Sequence, residues 1–133
     1  MATLHHVLVA DDEPHIGRIV KTKLEQGPFT VTLVADGGAV LASLEEHPDT
    51  AVLVLDIMMP VMGGLEVLQR VRATPAWQHL PCLILTAAGQ ADQHAQAMAL
   101  GATDFMTKPF SPRRLYARVA ELAGVPLEPD VTV

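Results

Sequence analysis

The chain is poor in several things, and each scarcity narrows what it does. It has one cysteine, Cys82, in 133 residues. That residue has no partner for an internal disulfide. It lies inside the apolar stretch Cys82-Leu83-Ile84-Leu85 and reads as a small buried hydrophobe. Aromatic residues make up only 4% of the chain, so aliphatic side chains must fill the core. Nine lysines and arginines face fifteen acids, for a net charge of −6. This balance lacks the clustered cations that direct nucleic-acid binding needs. No apolar run approaches the ~20 residues of a membrane span. Met1 to His6 shows no charged segment leading into an apolar one, so no secretory leader is expected and the cytoplasm is the simplest location.

What is present is aliphatic and ordered in alternation. Half of the residues are hydrophobic, and the length suits one domain with a single core. His6 to Ala10 reads as a strand. Pro14 to Gln26 carries Ile16, Ile19, Val20 and Leu24 at helical spacing, opened by Pro14 and stopped by Gly27-Pro28. Phe29 to Val34 is a second strand, rich in Val and Thr. Asp36-Gly37-Gly38 is expected to turn the chain into a short helix marked by Val40, Leu41 and Leu44. Ala51 to Leu55 is a third strand, and Gly63-Gly64 opens a helix with Leu65, Leu68 and Val71 on one side. Cys82 to Leu85 and Phe105 to Thr107 are the last two strands. Between them, Ala91 to Leu100 is an Ala- and Gln-rich helix with Met98 and Leu100 as its expected anchors, followed by Gly101. Ser111-Pro112 caps a final helix bearing Leu115, Val119 and Leu122.

Five strands alternating with five helices imply a parallel sheet covered on both faces, joined by right-handed crossovers. The strands carry no polar alternation, as burial on both faces requires. The expectation is one doubly wound (βα)5 domain of flavodoxin-like type. Its strand order 2-1-3-4-5 is taken by analogy with such folds. Residues 1–123 are assigned to this domain, and 124–133 to a C-terminal tail or a cut linker.

Four strands end in polar groups. The first runs into Asp11-Asp12, the third into Asp56, the fourth into Thr86 and the fifth into Lys108-Pro109. Parallel strands would bring all five groups to one sheet edge, where open α/β folds bind ligands. Three carboxylates in one crevice repel, and a hard divalent cation such as Mg²⁺ relieves them through oxygen ligation. Asp11, Asp12 and Asp56 fit that role, with a backbone carbonyl just after Asp56 as a fourth protein ligand. An Asp beside Mg²⁺ and Lys can attack a phosphoryl group, while Lys108 and Thr86 serve its other oxygens. Taken singly, each group has a plainer explanation. Asp11-Asp12 suits a helix N-terminus, Thr86 an ordinary strand end and Lys108 a solvated side chain.

Taken together, the residues resemble the response-regulator receiver domain of two-component signalling, over about Val7 to Leu122. The marks are Asp11-Asp12, the stretch Leu55-Asp56-Ile57-Met58-Met59-Pro60-Val61-Met62-Gly63-Gly64, Leu85-Thr86-Ala87, and Gly101 through Phe110 with Lys108-Pro109. The resemblance implies that Asp56 is the phosphoacceptor. It also implies Asp11, Asp12, Asp56 and the Met58 carbonyl as Mg²⁺ ligands, Lys108 as the phosphoryl-binding cation, and Thr86 with Phe105 as the switch pair. The Lys108-Pro109 bond is expected to be cis. The implied partners are a sensor histidine kinase or a histidine phosphotransfer protein, and a downstream effector or fused output domain. A phosphorylation-dependent dimer through the fourth and fifth helices would use Asp104 and Arg118.

Several positions depart from the pattern. Gly63 stands where many receivers have Asp, and Phe105 where many have Tyr. The fourth helix has no Lys or Arg, and Arg114 stands where dimerising receivers often have Glu. Met58 and Ala88 occupy two positions that flank the path of a hydrolytic water in receivers. Two rivals remain. A Mg²⁺-dependent phosphatase of the haloacid-dehalogenase type would need a second Asp where this chain has Met58. A degenerate receiver used only for interaction would not need the full set of five groups.

Overall fold

The computed structural model describes residues 4–126. The alternation is realised as β1 (His5–Ala10), α1 (Pro14–Leu24), β2 (Phe29–Val34), α2 (Gly37–Glu46) and β3 (Val52–Asp56). It continues with α3 (Gly64–Ala73), β4 (Cys82–Ala87), α4 (Ala91–Ala99), β5 (Asp104–Lys108) and α5 (Pro112–Ala123). All strand pairings are parallel, in the order β2-β1-β3-β4-β5. Both the fold class and the strand order agree with the sequence expectation. The tail assigned to 124–133 begins here as a helix cap, with Gly124 at φ 75°; its residues 127–133 lie outside the described residues.

The central strands divide their side chains between two cores. Val7, Val9, Val52, Val54, Leu83 and Leu85 pack with Val20 and Leu24 of α1 and Leu115 and Val119 of α5. Leu8, Leu53, Leu55 and Ile84 pack instead with Val40, Leu44, Val67, Leu68 and Val71 of α2 and α3. Period-two alternation is therefore present, but both phases are apolar, which is why the strands read as continuous hydrophobic runs. Burying a Leu or Val side chain stabilises by roughly 1.5–3 kcal/mol, and these are fully buried.

Two local expectations need correction. Asp36-Gly37-Gly38 is not a turn ahead of a helix: α2 starts at Gly37, and the Asp36 carboxylate caps it by accepting from the Ala39 N–H at 2.9 Å. Gly37 is needed there for close approach, since a Cβ would stand 2.5 Å from the Met62 carbonyl oxygen. In α4 the buried anchor is Ala97, whereas Met98 is 44% exposed and Leu100 lies just past the helix, packed at the edge of the core. A helix so rich in Ala has few large side chains to bury, and its N-terminus has no side-chain cap.

Gly64 locks α3 against the site. A Cβ there would collide with the Asp56 carbonyl oxygen and the Ile57 backbone. Only glycine lets the first turn of α3 sit directly behind the end of β3, with the Gly64 N–H donating to the Ile57 carbonyl at 2.8 Å. The Lys108-Pro109 bond is cis.

Candidate functional site

The parallel register fixes who meets whom. Ala10 pairs with Leu55, so Asp11 and Asp56 leave adjacent strands side by side. Ala87 pairs with Lys108, which sets the ammonium at the same edge two strands from β3.

Asp56 is 5% exposed. Its Oδ2 lies 3.1 Å from Lys108 Nζ, and its Oδ1 accepts from the Met58 N–H at 3.2 Å. Asp11 is also buried; its Oδ1 accepts from the Glu13 N–H at 2.9 Å. Asp11 Oδ2 lies 2.9 Å from Lys108 Nζ, an ion pair with an ammonium that also serves Asp56 and Glu13. Glu13 contributes a third acid, 3.2 Å from the same ammonium. Sequence reasoning missed Glu13, although it directly follows Asp11-Asp12. Asp12 is exposed, and it still brings a carboxylate oxygen within 4.8 Å of oxygens from Asp11 and Asp56.

The electrostatics follow from this crowding. Burial, and then the charge of Asp11, push the Asp56 carboxyl up to about 6, against the opposing pull of Lys108 and the Met58 N–H. For Lys108, burial works against the charged form, but its contacts with Asp11 and Asp56 outweigh it and raise its pKa. One ammonium does not satisfy this cluster. The crowded Asp11 and Asp56 carboxylates, sharing one ammonium with Glu13, are what a hard divalent cation would relieve, and the donor set is all oxygen. The residues therefore fit such an ion.

Thr86 reaches the same edge but turns elsewhere. It is 1% exposed, and its hydroxyl lies 2.6 Å from His94 Nε2 on α4 and 3.5 Å from the Met106 carbonyl on β5. The His94 ring stacks on Phe105, with centroids 4.2 Å apart and an interplanar angle of 22°. Of the five predicted groups, four converge on the carboxylate cluster. Thr86 and Phe105 instead form a second group with His94, which sequence reasoning did not single out. The available signal was one ring in a helix otherwise built of Ala, Gln, Asp and Met.

Another cluster lies at the opposite edge of the sheet. His6, His47 and Asp49 bring ligand-type atoms together, but both His6 ring nitrogens are held by the hydroxyls of Thr32 and Thr50, at 2.8 and 2.9 Å. Burial, and then His47, lower the pKa of His6. Both ring nitrogens are satisfied, which suits packing between β1 and its neighbours. Among the described residues no helix is long and apolar enough to cross a membrane.

Comparison with known proteins gives a consistent result. A family model of the response regulator receiver domain matches residues 7–120. The alkaline phosphatase synthesis transcriptional regulatory protein PhoP of Bacillus subtilis is 40% identical over 114 residues, 85% of this chain and 46% of that protein. The transcriptional regulatory protein TrcR of Mycobacterium tuberculosis is 41% identical over 117 residues, 87% of this chain and 44% of that protein. The chain thus spans about half the length of the curated relatives it matches. Among solved structures, the chemotaxis response regulator CheY4 of Vibrio cholerae superposes with a TM-score of 0.83 at 31% identity, covering 90% of this chain and 99% of that one.

Proposed function

This chain belongs to the response regulator receiver domain family, and from that premise we propose that Asp56 accepts a phosphoryl group and so switches the surface of α4, β5 and α5. The donor is a sensor histidine kinase or a histidine phosphotransfer protein. The observation that carries the reading is the cluster itself: a buried carboxylate at the end of β3, within 3.1 Å of Lys108 and in ligand reach of Asp11 and Asp12.

The chemistry assigned to these residues is as follows. An oxygen of Asp56 attacks phosphorus. The P–N bond of the phosphohistidine donor breaks as the new P–O bond forms, and the histidine leaves with the bonding pair. Asp11, Asp12, Asp56 and the Met58 backbone carbonyl would hold Mg²⁺, which when bound would supply positive charge to the transferred group. Lys108 already stands beside Asp56 and donates to a phosphoryl oxygen without rebuilding the site. The Thr86 hydroxyl is the donor for a further oxygen, and it must leave α4 to act. The Met58 N–H holds the attacking carboxylate in one orientation before transfer.

The chain is in this reading a signalling domain with a self-catalysed phosphoryl transfer, and no turnover enzyme. Residues 1–123 form the receiver, and 124–133 a tail or a linker to an output module. Relatives of about twice this length are transcriptional regulators, so an output module that contacts DNA is the matching arrangement. This domain has no nucleic-acid role of its own, and the cytoplasm is its location. Asp104 and Arg118 pair within the chain at 2.7 Å. A phosphorylation-dependent dimer through that face would have to exchange this pair between copies.

Incubation with Mg²⁺ and acetyl phosphate tests the proposal. One phosphoryl group per chain, mapped to Asp56 and lost in Asp56→Asn or in chelator, is expected. Catalytic release of phosphate would favour the phosphatase reading, and an unlabelled chain the interaction module.

A further inference from the structure

We infer that His94 is a positioning residue that holds the Thr86 hydroxyl in the resting protein and must release it when Asp56 takes up a phosphoryl group. The inference rests on the receiver reading above.

Thr86 and His94 share one side-chain hydrogen bond. A threonine hydroxyl donates once, and Thr86 is buried, so water does not offer it an alternative partner. Its near partner is His94 Nε2 at 2.6 Å, and the Met106 carbonyl stands at the limit of hydrogen-bond range, 3.5 Å. If Thr86 turns to a phosphoryl oxygen, it gives up His94. The His94 ring then loses its one side-chain hydrogen bond, and that ring is stacked on Phe105 of β5. Release is therefore felt on α4 and on β5 together. The helix is sensitive to it, because Ala97 is its one buried residue and its N-terminus has no side-chain cap. The Thr86–His94 bond ties α4 to β4, and the His94–Phe105 stack ties it to β5. Phe105 lacks a hydroxyl to report the change by hydrogen bonding, and the stacked imidazole supplies the polar link in its place. A receiver whose competent state is only a fraction of the population labels at a rate reduced by that fraction. His94, by favouring the resting position of Thr86, lowers the fraction.

Two variants separate the hydrogen bond from the ring. His94→Phe keeps the stack on Phe105 and removes the nitrogen that hydrogen-bonds Thr86. His94→Gln keeps a polar atom near the place of Nε2 and removes the ring. With acetyl phosphate and Mg²⁺, His94→Phe should label about fivefold faster than wild type, and His94→Gln should stay within about twofold of it. In wild type alone, the His94 Nε2 nitrogen resonance should move when the protein is labelled. The inference falls if His94→Phe labels at the wild-type rate, if the two variants label alike, or if the Nε2 resonance ignores labelling. A wild-type chain that takes no label removes the receiver reading and this inference with it. A wild type that labels, beside variants that match it, removes this inference alone.

Discussion

Lys108 Nζ stands 3.1 Å from Asp56 Oδ2, joining β5 to β3 across the intervening strand β4 and 52 residues of sequence. The same ammonium lies 2.9 Å from Asp11 and 3.2 Å from Glu13. One cation serving three acids leaves negative charge uncompensated, and that imbalance makes the stability of the protein depend on pH.

The first consequence is a pH dependence with a definite sign. The folded Asp56 carboxyl is raised from 3.8 to about 6, so the folded state binds this proton more tightly than the unfolded state. The associated stability is fully present below about pH 4 and is lost as pH rises through about 6. In EDTA, Asp56→Asn should therefore be more stable than wild type at pH 7.5, by about 1–2 kcal/mol after allowance for screening at the sheet edge. The difference should shrink toward zero at pH 4. Urea titrations across that range check it; a difference that holds constant from pH 4 to 7.5 would show that the carboxylate charge is not the cause.

Removing the cation should do the reverse. Lys108→Met leaves Asp11 and Asp56 buried side by side with no charge between them. Breaking a buried pair costs ~3–5 kcal/mol, and the 19% side-chain exposure of Lys108 softens this through solvent screening to about 2–3 kcal/mol at pH 7.5 in EDTA. Asp56→Asn placed on Lys108→Met should recover part of it. Strict additivity of the two substitutions would mean that the residues do not interact.

Val61 carries strain next to the site. It has φ 69° and is 91% exposed, and the Met62 N–H closes a three-residue turn onto the Pro60 carbonyl at 2.7 Å. A β-branched residue is costly in this region, and such turns are rare. Asn tolerates the conformation without the added unfolded-state freedom of Gly. Val61→Asn should raise stability by about 0.5–1 kcal/mol, read as a higher urea midpoint at unchanged slope. A lower midpoint would mean that the turn relaxes around Val without cost.

Much of this arrangement was legible in the sequence, for a physical reason. Strands buried on both faces appear as unbroken apolar runs, and a polar group that ends such a run sits at a sheet edge. That placed Asp11, Asp56, Thr86 and Lys108. The residues that escaped notice act through the direction of long side chains across the fold. Arg72 donates from Nε to the Gly101 carbonyl and from Nη1 to the Leu80 carbonyl, both at 2.8 Å, tying α3 to the turns before β4 and β5. Glu13 and His94 likewise meet partners 95 and 8 residues away. No periodicity encodes such contacts. The Gly37 start of α2 was misread because a glycine pair suggests a turn, and the need for close approach to Met62 appears only once α3 is in place.

The last prediction concerns how long the aspartyl phosphate persists. Hydrolysis needs a water in line behind phosphorus, and a polar side chain helps to hold it there. By their positions in the receiver pattern, Met58 and Ala88 flank that path. Met58 is 65% exposed, and Ala88 is exposed on the loop after β4, so neither is committed to the core. Neither side chain offers a water a strong hydrogen-bond partner. The labelled protein should therefore decay slowly in Mg²⁺. Met58→Asn with Ala88→Glu should shorten the half-life about tenfold, less than the ~10² of a fully positioned acid–base group because these side chains only orient the water. The core has no part in either substitution, so circular dichroism should be unchanged. A double mutant whose phosphate lasts as long as that of the wild type would show that these two side chains do not control the water.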